Sequence, residues 1–330
     1  MTGSVPADTK LSQLGERYLV RYIVSRLGTP QNSILQPGDD AAGFLWTGGL
    51  VTCMDVLVAE TDVPPGMGWE RAGWKAVVAA ISDLASKSAK PVYLLTGLGL
   101  SPEMTFRDFT ELWSGIEKAA EHYGASIIGG DVNECSRPFV AVTAMGETSK
   151  PLTRYGARPG DLVACTGLFG ATAAGLHAVL KGNTAEADPR LLEKVYTPQA
   201  RLTEGLTLGR VGGVTSCIDS SDGLAESLHC IAEASGVGVV LTSEPVDPLA
   251  IRYAEENSLD IFQLVMYGGE EYELVFTFSE GRLDVLREGL GDRLHVIGKV
   301  VAGSGVFLDR GGVRVEIPRL GWEHFREAHP

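Results

Sequence analysis

Seven aspartates stand inside apolar runs or at their ends. They are Asp39 and Asp40 in Pro-Gly-Asp-Asp-Ala-Ala, Asp55 in Val-Thr-Cys-Met-Asp-Val-Leu-Val, Asp83 in Ala-Ala-Ile-Ser-Asp-Leu-Ala, Asp131 after Ile-Ile-Gly-Gly, and Asp219 and Asp222 in Ile-Asp-Ser-Ser-Asp-Gly-Leu. An uncompensated carboxylate in such a setting is costly, and these motifs contain no lysine or arginine. A hard divalent cation supplies the missing charge. Mg²⁺ prefers oxygen ligands, keeps part of its water and is shared between carboxylates and substrate phosphates. So many carboxylates suit more than one ion.

Each acid taken singly also has a structural reading. Asp39 and Asp40 suit a turn followed by a helix cap, Asp222 before Gly223-Leu224 suits an N-cap, and Asp131 suits turn chemistry. Asp55 and Asp83 resist that reading because each is embedded in an apolar run. Two glycine turns, Gly129-Gly130 and Gly167-Leu168-Phe169-Gly170, offer backbone N–H groups to an anion. Arg154, in Leu-Thr-Arg-Tyr-Gly-Ala-Arg-Pro-Gly-Asp, stands between the two halves of the chain. It reads either as a clamp on a transferring phosphate or as a surface arginine. No G-x-x-x-x-G-K-[ST] loop, protein-kinase motif set or G-x-S-x-G elbow occurs. The histidines lie outside the aspartate motifs and receive no catalytic role.

The elements that must position these residues mix strand and helix throughout, so the class is α/β or α+β. Helical spacing covers residues 14–27, 69–87 and 106–123, and strands are predicted over 50–58, 92–100, 126–128 and 139–146. The Pro-, Gly- and Arg-containing stretch 150–161 separates the halves, which places domains at 1–149 and 150–330. In the second half, strands are predicted over 162–166, 215–219, 237–241, 274–278 and 294–300, helices over 171–180, 198–211 and 223–235, a polar surface loop over 181–189, and a hairpin around Gly311-Gly312.

Bulk properties bound the answer. With 44% hydrophobic and 21% charged residues the chain has an ordinary globular composition. Its apolar runs fall short of the roughly 20 residues that a spanning helix needs. Residues 1–10 lack the apolar core of a secretory signal, so a cytoplasmic location is expected. A net charge of −14 disfavours nucleic acid and anionic membrane as partners. The five cysteines are scattered without a C-x-x-C pair, against a disulfide framework or zinc site.

Seven motifs in order then resemble one family. They are Gly38-Asp39-Asp40-Ala41-Ala42, Met54-Asp55-Val56-Leu57-Val58, Ile81-Ser82-Asp83-Leu84-Ala85, Gly129-Gly130-Asp131, Arg158-Pro159-Gly160-Asp161, Asp219-Ser220-Ser221-Asp222-Gly223-Leu224 and Gly269-Glu270-Glu271-Tyr272-Glu273-Leu274. Together they resemble the thiamine-monophosphate kinases of the aminoimidazole-ribonucleotide-synthetase-like superfamily. The resemblance implies an N-terminal domain that pairs across a two-fold into a dimeric β-barrel, with a C-terminal α/β domain. It implies ATP and thiamine monophosphate as small-molecule substrates, thiamine diphosphate as product, and several Mg²⁺ ions. By likeness, Asp40, Cys53, Met54, Asp55, Asp83, Asp131, Asp219 and Asp222 occupy the metal positions, and Gly130, Asp131, Arg154 and Ser221 the ATP positions. Asp62, Glu270 and Trp322 face the substrate, and Asp222 and Arg154 carry the transfer.

Three departures mark a divergent branch, such as an archaeal one. Cys53-Met54 stands where the family often has Ser-Thr, so backbone or water must replace two side-chain oxygens. Asp62 stands where a histidine is common, and Glu271 replaces the usual aspartate. Two alternatives stay open: another ATP-using enzyme of the superfamily, such as an aminoimidazole-ribonucleotide synthetase, or a catalytically silent nucleotide-binding regulator. Selenophosphate synthetase would want a reactive cysteine early in the chain, and residues 1–38 hold none.

Overall fold

Alanine, valine and leucine crowd the middle of the longest helical stretch, and in the computed structural model that stretch is one continuous helix, Gly68–Ser86. The structure describes residues 5–35 and 41–322. These fall into two compact units, Met1–Leu84 with Lys90–Ser149, and Ala85–Ala89 with Lys150–Pro330.

The first unit runs α1 (Leu11–Leu14), α2 (Glu16–Val24), β1 (Leu50–Val58), α3 (Ala59–Asp62), α4 (Gly68–Ser86), β2 (Lys90–Leu100), α5 (Phe106–His122), β3 (Ser126–Glu134) and β4 (Phe139–Glu147). The helix predicted over 14–27 is broken at Gly15, whose φ of 75° no right-handed helix accommodates. The four strands lie in the order β1-β4-β2-β3. Both neighbours of β4 are antiparallel to it, while β2 and β3 are parallel, as the intervening α5 crossover demands. Every second residue of β4 is buried: Val140, Val142, Ala144 and Gly146. Helices α4 and α5 touch backbone to backbone. A Cβ on Gly73 would meet Leu112 O at 2.1 Å, and one on Gly115 would meet Glu70 O at 1.9 Å. Phe109, Leu112, Trp113 and Ile116 fill the space beside that crossing.

This sheet is open and mixed rather than a barrel. A closed barrel gives every strand two neighbours, whereas among the described residues of one chain β1 pairs only with β4 and β3 only with β2. Strand β3 also runs well past the predicted 126–128, because pairing with β2 carries it through Gly129-Gly130 as far as Glu134.

The second unit runs β5 (Leu162–Cys165), α6 (Ala171–Leu180), α7 (Pro189–Tyr196), α8 (Leu202–Val211), β6 (Val214–Ser220), α9 (Leu224–Ser235), β7 (Gly238–Leu241), α10 (Pro248–Asn257), α11 (Ile261–Tyr267), β8 (Glu273–Phe278), α12 (Leu283–Leu290), β9 (His295–Val301), β10 (Val306–Arg310) and β11 (Val313–Glu316). Its seven strands lie in the order β11-β10-β7-β9-β5-β8-β6. Strands β5 and β8 are buried at every residue, the pattern of central strands covered on both faces. Leu228, Ile231, Val239 and Val275 lie in one core cluster, and Phe276, Phe278, Leu208 and Leu286 lie in another. Helices α7, α10 and α11 escape the sequence reading, although each begins at a capping aspartate, Asp188, Asp247 or Asp260.

Candidate active site

In the first unit, the two-residue period of a strand turns Cys53 and Asp55 to one side of β1 and Met54 to the other. Cys53 Sγ donates to the carbonyl oxygen of Ala80 in α4 at 3.2 Å, so that side faces α4. Asp83 follows one turn later on the same helix. The ligand atoms of Cys53, Asp55 and Asp83 all lie within 4.8 Å of one another, and all three residues are half-buried. Burial, reinforced by the carboxylates of Asp83 and Asp55, pushes the Cys53 thiol far above its ordinary range. The two carboxylates fit a hard cation. The sulfur of Cys53 is a softer donor than the oxygens Mg²⁺ takes. Met54 is 63% exposed on the opposite face, so its thioether does not join the group.

Asp131 is exposed on β3, in register with Gly97. Beside it, a Cβ on Gly130 would lie 1.9 Å from the carbonyl oxygen of Thr96, so only glycine lets the two strands pair at that point. Asp62 has a local employment: its carboxylate accepts the Val58 N–H at 2.7 Å and closes the turn of α3. The buried Lys75 donates to the Asp62 carbonyl at 2.8 Å. Asp39 and Asp40 lie outside the described residues.

In the second unit, β6 delivers Asp219 and Ser220, and Ser221-Asp222-Gly223 turns the chain into α9. The capping position falls on Gly223 rather than Asp222. The Ser220 hydroxyl is buried with no hydrogen-bond partner among the described residues. Two strands of chain close on this turn. The loop between α11 and β8 donates Glu270 N–H to Ser221 O at 2.6 Å and Tyr272 N–H to Ser220 O at 2.9 Å. From the other side, Trp322 N–H donates to Asp222 O at 3.1 Å. Glu270 and Trp322, assigned to the substrate by resemblance, therefore flank Asp222. The Trp322 segment is tied down by Arg319, which pairs with Glu226 at 2.6 Å and Glu233 at 2.9 Å. Arg154 is exposed on the segment before β5.

Behind the turn lies a buried polar network that the sequence reading missed. Glu273, 1% exposed, is gripped by Arg201 through Nη2 at 2.5 Å and Nε at 2.8 Å, and accepts from Thr166 Oγ1 at 2.8 Å. Glu271, also buried, accepts Gly170 N–H at 2.7 Å, Thr172 N–H at 3.2 Å and Thr172 O–H at 2.8 Å. The signal was present: Glu273 opens the apolar run Leu-Val-Phe-Thr-Phe, where a carboxylate needs a partner. That partner stands 72 residues away in sequence.

Burial pushes the Glu271 carboxyl up to about 7, against the opposing pull of its Thr172 hydrogen bonds. Between its ordinary 4.5 and 7, the folded chain therefore keeps a proton that the unfolded chain has released. Folding accordingly loses stability as pH rises through that window. Urea unfolding at pH 5 and pH 8 should show Glu271→Gln gaining stability relative to the parent at the higher pH, since the amide has no proton to release.

Residues 38–148 match the family of AIR synthase related proteins, N-terminal domain, and residues 158–310 the corresponding C-terminal domain. The chain is similar to the thiamine-monophosphate kinase of Pyrococcus horikoshii, with 36% identity over 297 residues, covering 88% of this chain and 91% of the relative. Among solved structures it is similar to thiamine monophosphate kinase from Aquifex aeolicus, at 28% identity and a TM-score of 0.73, over 81% of this chain and 90% of that one. It is similar too to AaThiL complexed with AMPPCP and TMP, at 26% identity and a TM-score of 0.74, over 96% and 99% of the two chains.

Proposed function

Because the chain belongs to the thiamine-monophosphate kinase family, we propose that it transfers the γ-phosphoryl group of ATP to thiamine monophosphate, giving ADP and thiamine diphosphate. The observation that carries this reading at the site is the grouping of Asp55 and Asp83, with ligand atoms within 4.8 Å. In the first unit Asp131 is a further Mg²⁺ holder, in the second unit Asp219 and Asp222 are Mg²⁺ holders, and Asp40 is assigned by resemblance alone. Bound Mg²⁺ neutralises the triphosphate and the oxygens that gain charge during transfer.

The chain's own residues orient the reactants. Gly130 and Ser221 bring main chain to the nucleotide, and Arg154 clamps the moving phosphoryl group as a charge-assisted donor. Glu270 and Trp322 face the thiamine, where an indole suits a cationic heterocycle. A phosphate oxygen of thiamine monophosphate attacks the γ-phosphorus directly, in line with the departing ADP oxygen, and no phosphoenzyme forms. The outer face of β1, with Leu50, Met54 and Val56 exposed, supports association into a homodimer.

The test is incubation of the purified protein with Mg·ATP and thiamine monophosphate, followed by chromatographic detection of thiamine diphosphate. ATP binding without any turnover of thiamine esters would instead favour a regulator. ATP turnover that yields no thiamine diphosphate would favour another ATP-using enzyme of the superfamily. Trp322 is 48% exposed, and its main-chain N–H holds the segment to Asp222 O. Trp322→Ala should therefore raise KM for thiamine monophosphate about tenfold through the lost cation–π contact. KM for ATP should stay the same, and both are read from initial rates.

A further inference from the structure

The loop joining α11 to β8 has an unusual backbone. Glu270 and Tyr272 adopt φ of 63° and 52°, in the left-handed region that β-carbon-bearing residues avoid unless the surroundings impose it. Between them Glu271 is buried, and its carboxylate receives the Gly170 and Thr172 N–H groups at the start of α6 together with the Thr172 hydroxyl. The next residue but one, Glu273, is pinned by Arg201 and Thr166. On its other edge the same loop donates two main-chain bonds to Ser220 and Ser221, the residues between Asp219 and Asp222.

Resting on the function proposed above, we infer that Glu271 is a positioning residue for the transfer: by anchoring the loop to the start of α6 it imposes the left-handed backbone at Glu270 and Tyr272, which in turn sets the main chain of Ser220-Ser221. Nothing in this role requires Glu271 to touch a reactant. It acts through position, because its two side-chain oxygens receive two N–H groups and a hydroxyl at once. The charge itself is dispensable. In Glu271→Gln the amide oxygen still accepts from Gly170 and Thr172 N–H, and the amide nitrogen donates to Thr172 Oγ1. In Glu271→Ala all three donors lose their acceptor and the loop loses its anchor.

The experiment compares the full-length protein with E271A, E271Q and T172V in two measurements. The first is hydrogen exchange without substrates. E271A should speed exchange of the Glu270 and Tyr272 amides about tenfold or more through local opening, while E271Q leaves them near the parent rate. The second is steady-state kinetics with Mg·ATP and thiamine monophosphate. E271A should lower kcat/KM for thiamine monophosphate about thirtyfold, T172V about threefold, and E271Q by no more than about threefold. Two outcomes overturn the inference: E271A melting earlier with kcat/KM unchanged at a temperature where it is folded, or E271Q as damaging as E271A. Should E271A fail to fold, T172V decides, since unchanged exchange and kinetics in that variant also sink the anchor. If the parent protein does not phosphorylate thiamine monophosphate, the function proposal falls, and the exchange measurement still reports on the anchor.

Discussion

Asp222→Asn is expected to reduce the rate of thiamine diphosphate formation by about 10²–10³-fold at saturating substrates, the usual cost of removing one preorganised charge partner in a transfer that depends on charge neutralisation. The substitution keeps shape and backbone. The turn is held by main-chain bonds from Glu270, Tyr272 and Trp322, and the capping position belongs to Gly223. Folding should therefore be preserved, with the melting midpoint within a few degrees of the parent, while turnover collapses. The measurement is product formation under excess Mg·ATP, with circular dichroism as the control. A variant that is well folded and retains more than about a tenth of the activity would mean that Asp222 serves only the turn.

The second large effect concerns stability. Glu273→Ala should cost about 3–5 kcal/mol, because Arg201 would be left buried without its counter-charge. Its side chain is 12% exposed and makes two bonds to that carboxylate. Thr166 Oγ1 would lose its acceptor as well. Arg201→Ala should be comparably damaging, whereas replacing both partners together, as Arg201→Met with Glu273→Leu, should recover most of the loss. Urea unfolding of the four proteins decides this. Near-additive losses in the double variant would show that the two side chains do not act as a pair.

The sequence made some of this legible and hid the rest for definite reasons. Asp55 and Asp83 could be singled out because each interrupts an apolar run, and the structure brings their ligand atoms to one place. The Asp219–Asp222 turn was recognisable by its motif, but the way Glu270 and Trp322 flank it depends on main-chain bonds between segments far apart in the chain, which no local pattern encodes. The implied barrel is one of two copies, and within one chain the described strands of the first unit form an open sheet with β1 and β3 at its edges. The Glu273–Arg201 pair was invisible for a related reason: a buried acid advertises that it needs a partner without saying which residue supplies it. Helix α2 begins later than its apolar spacing suggests, since Gly15 at φ 75° interrupts a pattern that periodicity alone would continue.

Strand β1 is a wall with two sides. Its odd-numbered residues, Cys53 and Asp55 among them, answer to the carboxylate group under α4, and its even-numbered residues answer to whatever lies across the outer face. Losing one residue anywhere ahead of Cys53 within the strand would exchange the two sides, sending Asp55 outward and bringing a methionine or valine in against Asp83. Length changes are thus survivable only outside residues 50–58, whereas point changes on one side leave the chemistry of the other untouched.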